Sequence, residues 1–221
     1  MKFRHEYKHQ INLADIYGLR ARLSAVAKPD TNCGEDGTYF VKSLYFDNYM
    51  DKALREKIDG VRVREKFRIR YYGTDTSFIR LEKKSKINGL CNKVTCRITA
   101  QECQRIIDGD IDFMKDSEHG LMRELHAKMR YQLLRPKCIV AYTRECFVYP
   151  PGNVRVTLDM NICGSNNVKE FLNPDLSFLQ TYHDSVLEVK WDAFLPQIIR
   201  DCVQIKSRRT AAFSKYAAIR I

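Results

Sequence analysis

A chain of 221 residues, 44% hydrophobic and 11% aromatic, has the composition of a folded protein with one sizeable core and excludes a disordered tail. Its 38 Lys and Arg against 27 Asp and Glu give a net charge of +11, which favours a polyanionic partner: nucleic acid, an anionic membrane surface or a phosphorylated small molecule. Eight cysteines without a C-x-x-C pair argue against the usual zinc spacings and for reduced thiols, while the charged start MKFRHEYKHQ and the lack of any apolar run of 18 residues give no leader or transmembrane helix, so a cytoplasmic location is expected.

In chain order, Phe3 to Ile11 reads as a first strand with Arg4, Glu6 and Lys8 on one face. Asn12 is placed to cap a helix running to Ala27, with Leu13, Ile16, Leu19, Leu23 and Val26 at helical spacing. Thr38 to Asp47 and Val61 to Tyr72 are the next strands, followed by a strand within Ser77 to Lys86. Asn88-Gly89 is a hairpin turn into a strand from Cys91 to Ile98. Thr99 with Glu102 forms a capping box for a short helix to Asp108, and a longer helix follows Asp116 to about Leu134, stopped by Pro136. Lys137 to Tyr149, Val154 to Ile162 and Asp184 to Trp191 read as strands, with helical patterns from Pro196 to Ile205 and near the C-terminus. No Ser/Gly-rich linker interrupts the chain, so a single domain over residues 1–221 is expected.

The stretch VRVREKFRIRYY places Arg62, Arg64, Lys66, Arg68 and Arg70 on one strand face and Val61, Val63, Phe67 and Ile69 on the other. Like charges in a row repel, so the row makes sense where an anion lies along it or water screens it. Other strands also carry charges of both signs on one parity. Closed into a barrel, that face would line an aqueous interior and leave the apolar face for the amphipathic helices; the alternative is an open sheet with a solvated charged face. Glu6, Glu82, Asp159 and Glu188 lie among the cations, where a carboxylate opposes phosphate binding unless a divalent cation stands between them.

These residues in this order carry a resemblance: Arg4-x-Glu6-x-Lys8, Ser43-Leu44-Tyr45-Phe46-Asp47, Arg68-x-Arg70 before Tyr72-Gly73, Glu82-x-Lys84-x-Lys86 before Asn88-Gly89, then Lys93, Tyr142-x-Arg144, Arg155, Glu188-x-Lys190 and Ser214-Lys215-Tyr216. Over nearly the whole chain it resembles the VTC domain, the polyphosphate polymerase module of the CYTH-like triphosphate tunnel metalloenzymes. The resemblance implies an α+β fold, an eight-stranded antiparallel β-barrel tunnel flanked by helices. It also implies transfer of the γ-phosphoryl of ATP to inorganic polyphosphate with Mn²⁺ or Mg²⁺. Arg4 stands where the triphosphatase branch opens with a Glu, which favours the polymerase branch.

By the same resemblance, Lys8, Arg68, Arg70, Lys84, Arg144 and Lys190 are the catalytic cations, and Lys93, Arg155, Tyr142, Ser214, Lys215 and Lys86 bind phosphates. Glu188 and Glu6 are the metal ligands, with Asp159 a weaker candidate. No nucleic-acid partner is expected, because the carboxylates oppose it, and polymer export would need a separate membrane partner. A metal-dependent tripolyphosphatase or nucleoside triphosphatase, and a non-catalytic polyphosphate-binding module, remain open as alternatives.

Overall fold

The computed structural model describes residues 4–180, 182–205 and 213–220. Among them the strands are β1 (His5–Ile11), β2 (Lys28–Pro29), β3 (Thr38–Asp47), β4 (Val63–Tyr72), β5 (Asp75–Ile87), β6 (Leu90–Ile98), β7 (Arg135–Tyr149), β8 (Val154–Ser165) and β9 (Ser185–Trp191). The helices are α1 (Leu13–Ser24), α2 (Lys52–Ile58), α3 (Ala100–Asp108), α4 (Gly120–Tyr131), α5 (Gln197–Cys202) and α6 (Lys215–Arg220). The strands make one antiparallel sheet in the order β1-β9-β8-β7-β3-β4-β5-β6, with β2 added on β7.

Among the described residues the sheet has nine strands where eight were expected, and no pairing joins its end strands β1 and β6 into the expected barrel. Side-chain alternation determines which residues share a face, but closure depends on hydrogen bonds between end strands, which alternation does not encode.

The chain divides into two compact units. The first comprises Met1–Phe40, Tyr142–Ile162 and Tyr182–Ser214, and the second Val41–Ala141, Cys163–Thr181 and Lys215–Ile221. In the first unit, Ile16, Leu19 and Leu23 of α1 and Ile199 of α5 pack on Val156, Leu158, Leu187 and Val189 of β8 and β9. α1 begins where expected: Asn12 Oδ1 accepts from the Asp15 amide at 2.9 Å and Asp15 answers the Asn12 amide at 3.0 Å, a reciprocal cap. In the second unit, Leu44, Phe67, Ile69, Ile79 and Leu81 form the apolar side of β3, β4 and β5, covered by Ile106 of α3 and Leu125 of α4. The Thr99–Glu102 capping box starts α3, and Asn88-Gly89 turns β5 into β6 with φ of 48° and 90°, the pair of positive values a tight hairpin needs.

Other elements depart from expectation. α2 has only Leu54 buried, so its seven residues carry no periodic signal, and the two-residue β2 is too short to leave one. α1 ends at Ser24 rather than Ala27, and the third strand opens at Val63, which leaves Arg62 outside it. α4 stops at Tyr131, and Leu133 at φ 54° turns the chain before Pro136, which is the second residue of β7. Proline is accommodated at a strand's beginning, so the signal read as a helix stop is a strand start. No helix among the described residues is long and apolar enough to cross a membrane.

Gly152 has φ 74°, and a Cβ there would collide with the carbonyl oxygen of Phe194, whereas a Cβ at Gly109, φ 86°, meets nothing within 4 Å. Gly109→Ala is therefore expected to cost about 1 kcal/mol of backbone strain and Gly152→Ala distinctly more, about 2–3 kcal/mol. Urea unfolding of the two variants beside the parent measures the difference.

Candidate functional site

The second unit carries a cationic sheet face whose rows follow from strand register. Ser43, Arg70, Arg80 and Arg97 lie opposite one another across β3 to β6. Tyr45, Arg68, Glu82 and Thr95 form the next row, then Lys66, Lys84 and Lys93, then Arg64, Lys86 and Cys91. Among these positions Glu82 is the single carboxylate. The opposite side chains, such as Leu44, Phe67, Ile69 and Leu81, are the core, so the apolar alternation that folds the unit also aligns its cations.

Glu82, 1% exposed, holds the centre. Its Oε2 accepts from Arg68 Nε at 2.7 Å and Nη2 at 2.5 Å, and Lys93 Nζ stands 3.3 Å from Oε1. Burial alone would raise its carboxyl, but Arg68, Arg70 and Lys93 outweigh burial and hold it well below the usual carboxylate range. Arg70 Nε donates to Ser43 Oγ at 2.9 Å, and Arg68 Nη1 donates to the Tyr45 hydroxyl at 3.1 Å. Both guanidiniums are thereby buried and fixed, while Lys93 is exposed and Lys84 and Lys86 are half-buried. Lys66 belongs to this face, and Arg80 and Arg97 extend it around the Phe78 ring at 4.3 and 5.3 Å from its centroid. Arg97 is a member that the sequence reading missed, although its parity with Lys93 was the available signal.

The first unit carries a second polar face. Glu6, Lys190 and Arg155 are register partners across β1, β9 and β8, and so are Lys8, Glu188 and Thr157. Lys8 Nζ lies 2.9 Å from Glu6 Oε1, Lys190 contacts Glu188 directly, and Lys190 is 3.9 Å from Glu6 Oε2. Arg144 grips the fully buried Asp159 as a fork, Nε to Oδ1 at 2.6 Å and Nη2 to Oδ2 at 2.8 Å, and Nη2 also donates to the Tyr142 hydroxyl at 3.3 Å. Although burial opposes the charged form, Asp159 raises the Arg144 pKa well above its ordinary value. Both Asp159 oxygens accept from this fork, so the carboxylate is the ion-pair partner of Arg144. Arg155 Nη2 contacts Asp30 Oδ2 at 2.6 Å and donates to the Tyr39 hydroxyl at 2.9 Å. Neither partner was legible in the sequence: β2 pairs with Phe147 and Val148 of β7, and that pairing holds the Asp30 loop.

Ser214 is buried at the end of the first unit, and Lys215 is the first residue of α6 in the second. Among the described residues no cluster of three or more His, Cys, Asp or Glu could hold a metal ion. Glu6 and Glu188 are diagonal neighbours, and both contact Lys190. One or two carboxylates fit Mg²⁺ or Mn²⁺ where substrate phosphates and water complete the coordination, so the donor set suits a metal that arrives with a phosphate substrate.

The VTC domain family model matches residues 3–220. The structure is similar to that of a "putative adenylate cyclase" from Bacillus halodurans, with TM-score 0.52 and 14% identity over 86% of this chain and 80% of that one. It is also similar to the PH1012 protein from Pyrococcus horikoshii OT3, with TM-score 0.54 and 12% identity over 98% of this chain and 99% of that one. At these identities the likeness is one of fold. No curated protein matches the chain.

Because Glu82 sits below its ordinary 4.5 in the fold, its contribution to stability is complete above about pH 4.5 and is lost as the pH falls further, when the unfolded chain takes up the proton first. Urea unfolding from neutral pH to about pH 3 should show that decline. Glu82→Gln should flatten it and lower stability at neutral pH by about 3 kcal/mol, since Arg68 is left buried without its counter-charge.

Proposed function

The chain belongs to the VTC domain family, and from that premise we propose that it is a divalent-metal-dependent polyphosphate polymerase that transfers the γ-phosphoryl of ATP to inorganic polyphosphate in the tunnel typical of that family. The observation that carries the proposal is the four-row cationic face of β4, β5 and β6 with Glu82 as its one carboxylate. Such a face suits a linear polyanion rather than a single phosphate.

In this reading Arg68 and Arg70, fixed by Glu82 and Ser43, grip phosphate oxygens at defined angles. Lys84, Lys86 and Lys93 act as point charges on flexible stems, which hold the chain while letting it advance. In the first unit Lys8, Lys190, Arg144, Arg155 and Tyr142 are assigned to phosphate oxygens in the same way, as are Ser214 and Lys215. Glu188 and Glu6 would hold Mn²⁺ or Mg²⁺, which supplies neutralisation of charge on the phosphate oxygens. Phosphoryl transfer depends on alignment and on charge stabilisation of the equatorial oxygens, and a terminal phosphate oxygen of the polymer is itself the nucleophile, so no protein nucleophile is required.

Purified protein incubated with ATP and Mn²⁺ should yield a ladder of phosphate chains on a resolving gel, and removal of the metal by a chelator should stop it. Lys8→Ala and Lys84→Ala, one in each unit, should each cut the rate by about 100-fold. Orthophosphate without a ladder would instead assign a triphosphatase, and polyphosphate binding without turnover a binding module.

A further inference from the structure

Tyr45 is the one neutral, titratable side chain at the centre of the second unit's cationic face. Its ring is buried and stacked on Tyr216 of α6, with centroids 5.2 Å apart. Its hydroxyl accepts from Arg68 Nη1 at 3.1 Å, and the Lys66 ammonium lies 5.6 Å from its ring centroid. A phenol has one proton to give as well as lone pairs to offer. Among the described residues nothing accepts that proton: the nearby carboxylates are already engaged, Glu82 by Arg68 and Lys93, and Asp47 by the Tyr216 hydroxyl at 2.7 Å and by the Ala53 and Leu54 amides. A buried donor with no acceptor is costly in a folded protein. This one stands beside the guanidinium that the proposed function assigns to phosphate.

We propose that the Tyr45 hydroxyl is a direct phosphate ligand: its proton is donated to an oxygen of a triphosphate or polyphosphate held by Arg68 and Arg70, so the substrate supplies the acceptor that none of the described residues provides. The inference rests on the reading of this face as a phosphate site and adds a neutral donor to its cations.

The electrostatic setting makes the hydroxyl sensitive to pH. Burial works to raise the phenol, but Arg68, Lys66 and Arg70 overcome it and bring its pKa down to about 7. The other groups facing it are Glu82 from β5, Tyr216 from α6, and Ser43 and Asp47 on its own strand. The Tyr216 phenol is pushed far up by burial and by Asp47, so it stays protonated through this range. Below neutrality Tyr45 is a donor. Above it the phenolate has no proton to give, cancels one cation and repels the phosphate oxygen. Bound phosphate in turn favours the protonated form, so binding near neutral pH takes up a proton.

The experiment measures tripolyphosphate binding by calorimetry, without turnover, for the parent and for Tyr45→Phe, which keeps the ring and its stacking. At about pH 6 the variant should bind roughly tenfold more weakly, the loss of one hydrogen bond to a charged acceptor. The parent's advantage should shrink by about tenfold for each pH unit above its free pKa, so the two affinities should meet near pH 8. At pH 7.5 tripolyphosphate should bleach a phenolate absorbance band that the parent has and Tyr45→Phe lacks, and titrations in buffers of different ionisation enthalpy should show more protons taken up, or fewer released, by the parent than by the variant. Equal affinities at pH 6, parallel pH profiles or an unchanged phenolate band would overturn the proposal while leaving the polymerase reading intact. If the parent itself binds no tripolyphosphate, the phosphate reading of this face fails and the Tyr45 proposal falls with it.

Discussion

A guanidinium buried on a sheet face is costly unless its charge is answered, and Arg68 with Glu82 is the ion pair on which the second unit's face depends. Replacing that pair with apolar residues would be compatible with folding and could even stabilise the unit, so its presence is explained by what it does to the face. Glu82 lets Arg68 be held rigidly with its Nη1 donating to Tyr45, and its charge offsets part of the repulsion from Arg70 and Lys93. The face thus combines fixed arginines at its centre with lysines that are more exposed. That difference in mobility is what a site must have if it is to align one phosphoryl group while the rest of a polyanion moves.

The first unit reaches a similar solution with different residues. Arg144 and Asp159 form a buried fork, and Arg155 is clasped by Asp30 and Tyr39. Along β1 and β9, by contrast, charges alternate in sign, Glu6 with Lys8 and Glu188 with Lys190. Alternation keeps those two strands near neutral on average, with each lysine answered by a carboxylate. The two units therefore differ in electrostatic character: one face is predominantly cationic, and the other mixes cations with carboxylates.

Much of this was legible in the sequence because strands encode their two faces directly. VREKFRIRYY states the parity of β4 without ambiguity, the alternation of Arg80, Glu82, Lys84 and Lys86 states that of β5, and the Asn88-Gly89 turn joins β5 to β6. Caps were equally readable at Asn12 and Thr99, where the donors and acceptors lie three residues apart. Pairings between distant segments were not. Asp30 meets Arg155 across 125 positions through a two-residue strand, and Asp47 receives Tyr216 across 169 positions. Pro136 misled for a related reason: proline removes a donor in helix and strand alike, and only the register of β7 tells which applies.

Tyr45 shows why a site residue can be visible in a motif and still have no readable role. Within Ser43-Leu44-Tyr45-Phe46-Asp47 it is one aromatic among apolar residues, and burial is its ordinary expectation. What distinguishes it is the company β4 supplies: two guanidiniums and an ammonium on one side, and a carboxylate already committed to Tyr216 on the other. A phenol in that position is poised between donor and anion because the cations that would bind phosphate also stabilise its phenolate. In the absence of substrate the hydroxyl and the phosphate oxygen are thus alternative sources of the same negative charge. On the proposal made for this face, a bound phosphate would resolve the competition by returning the proton to Tyr45 and taking over its cations.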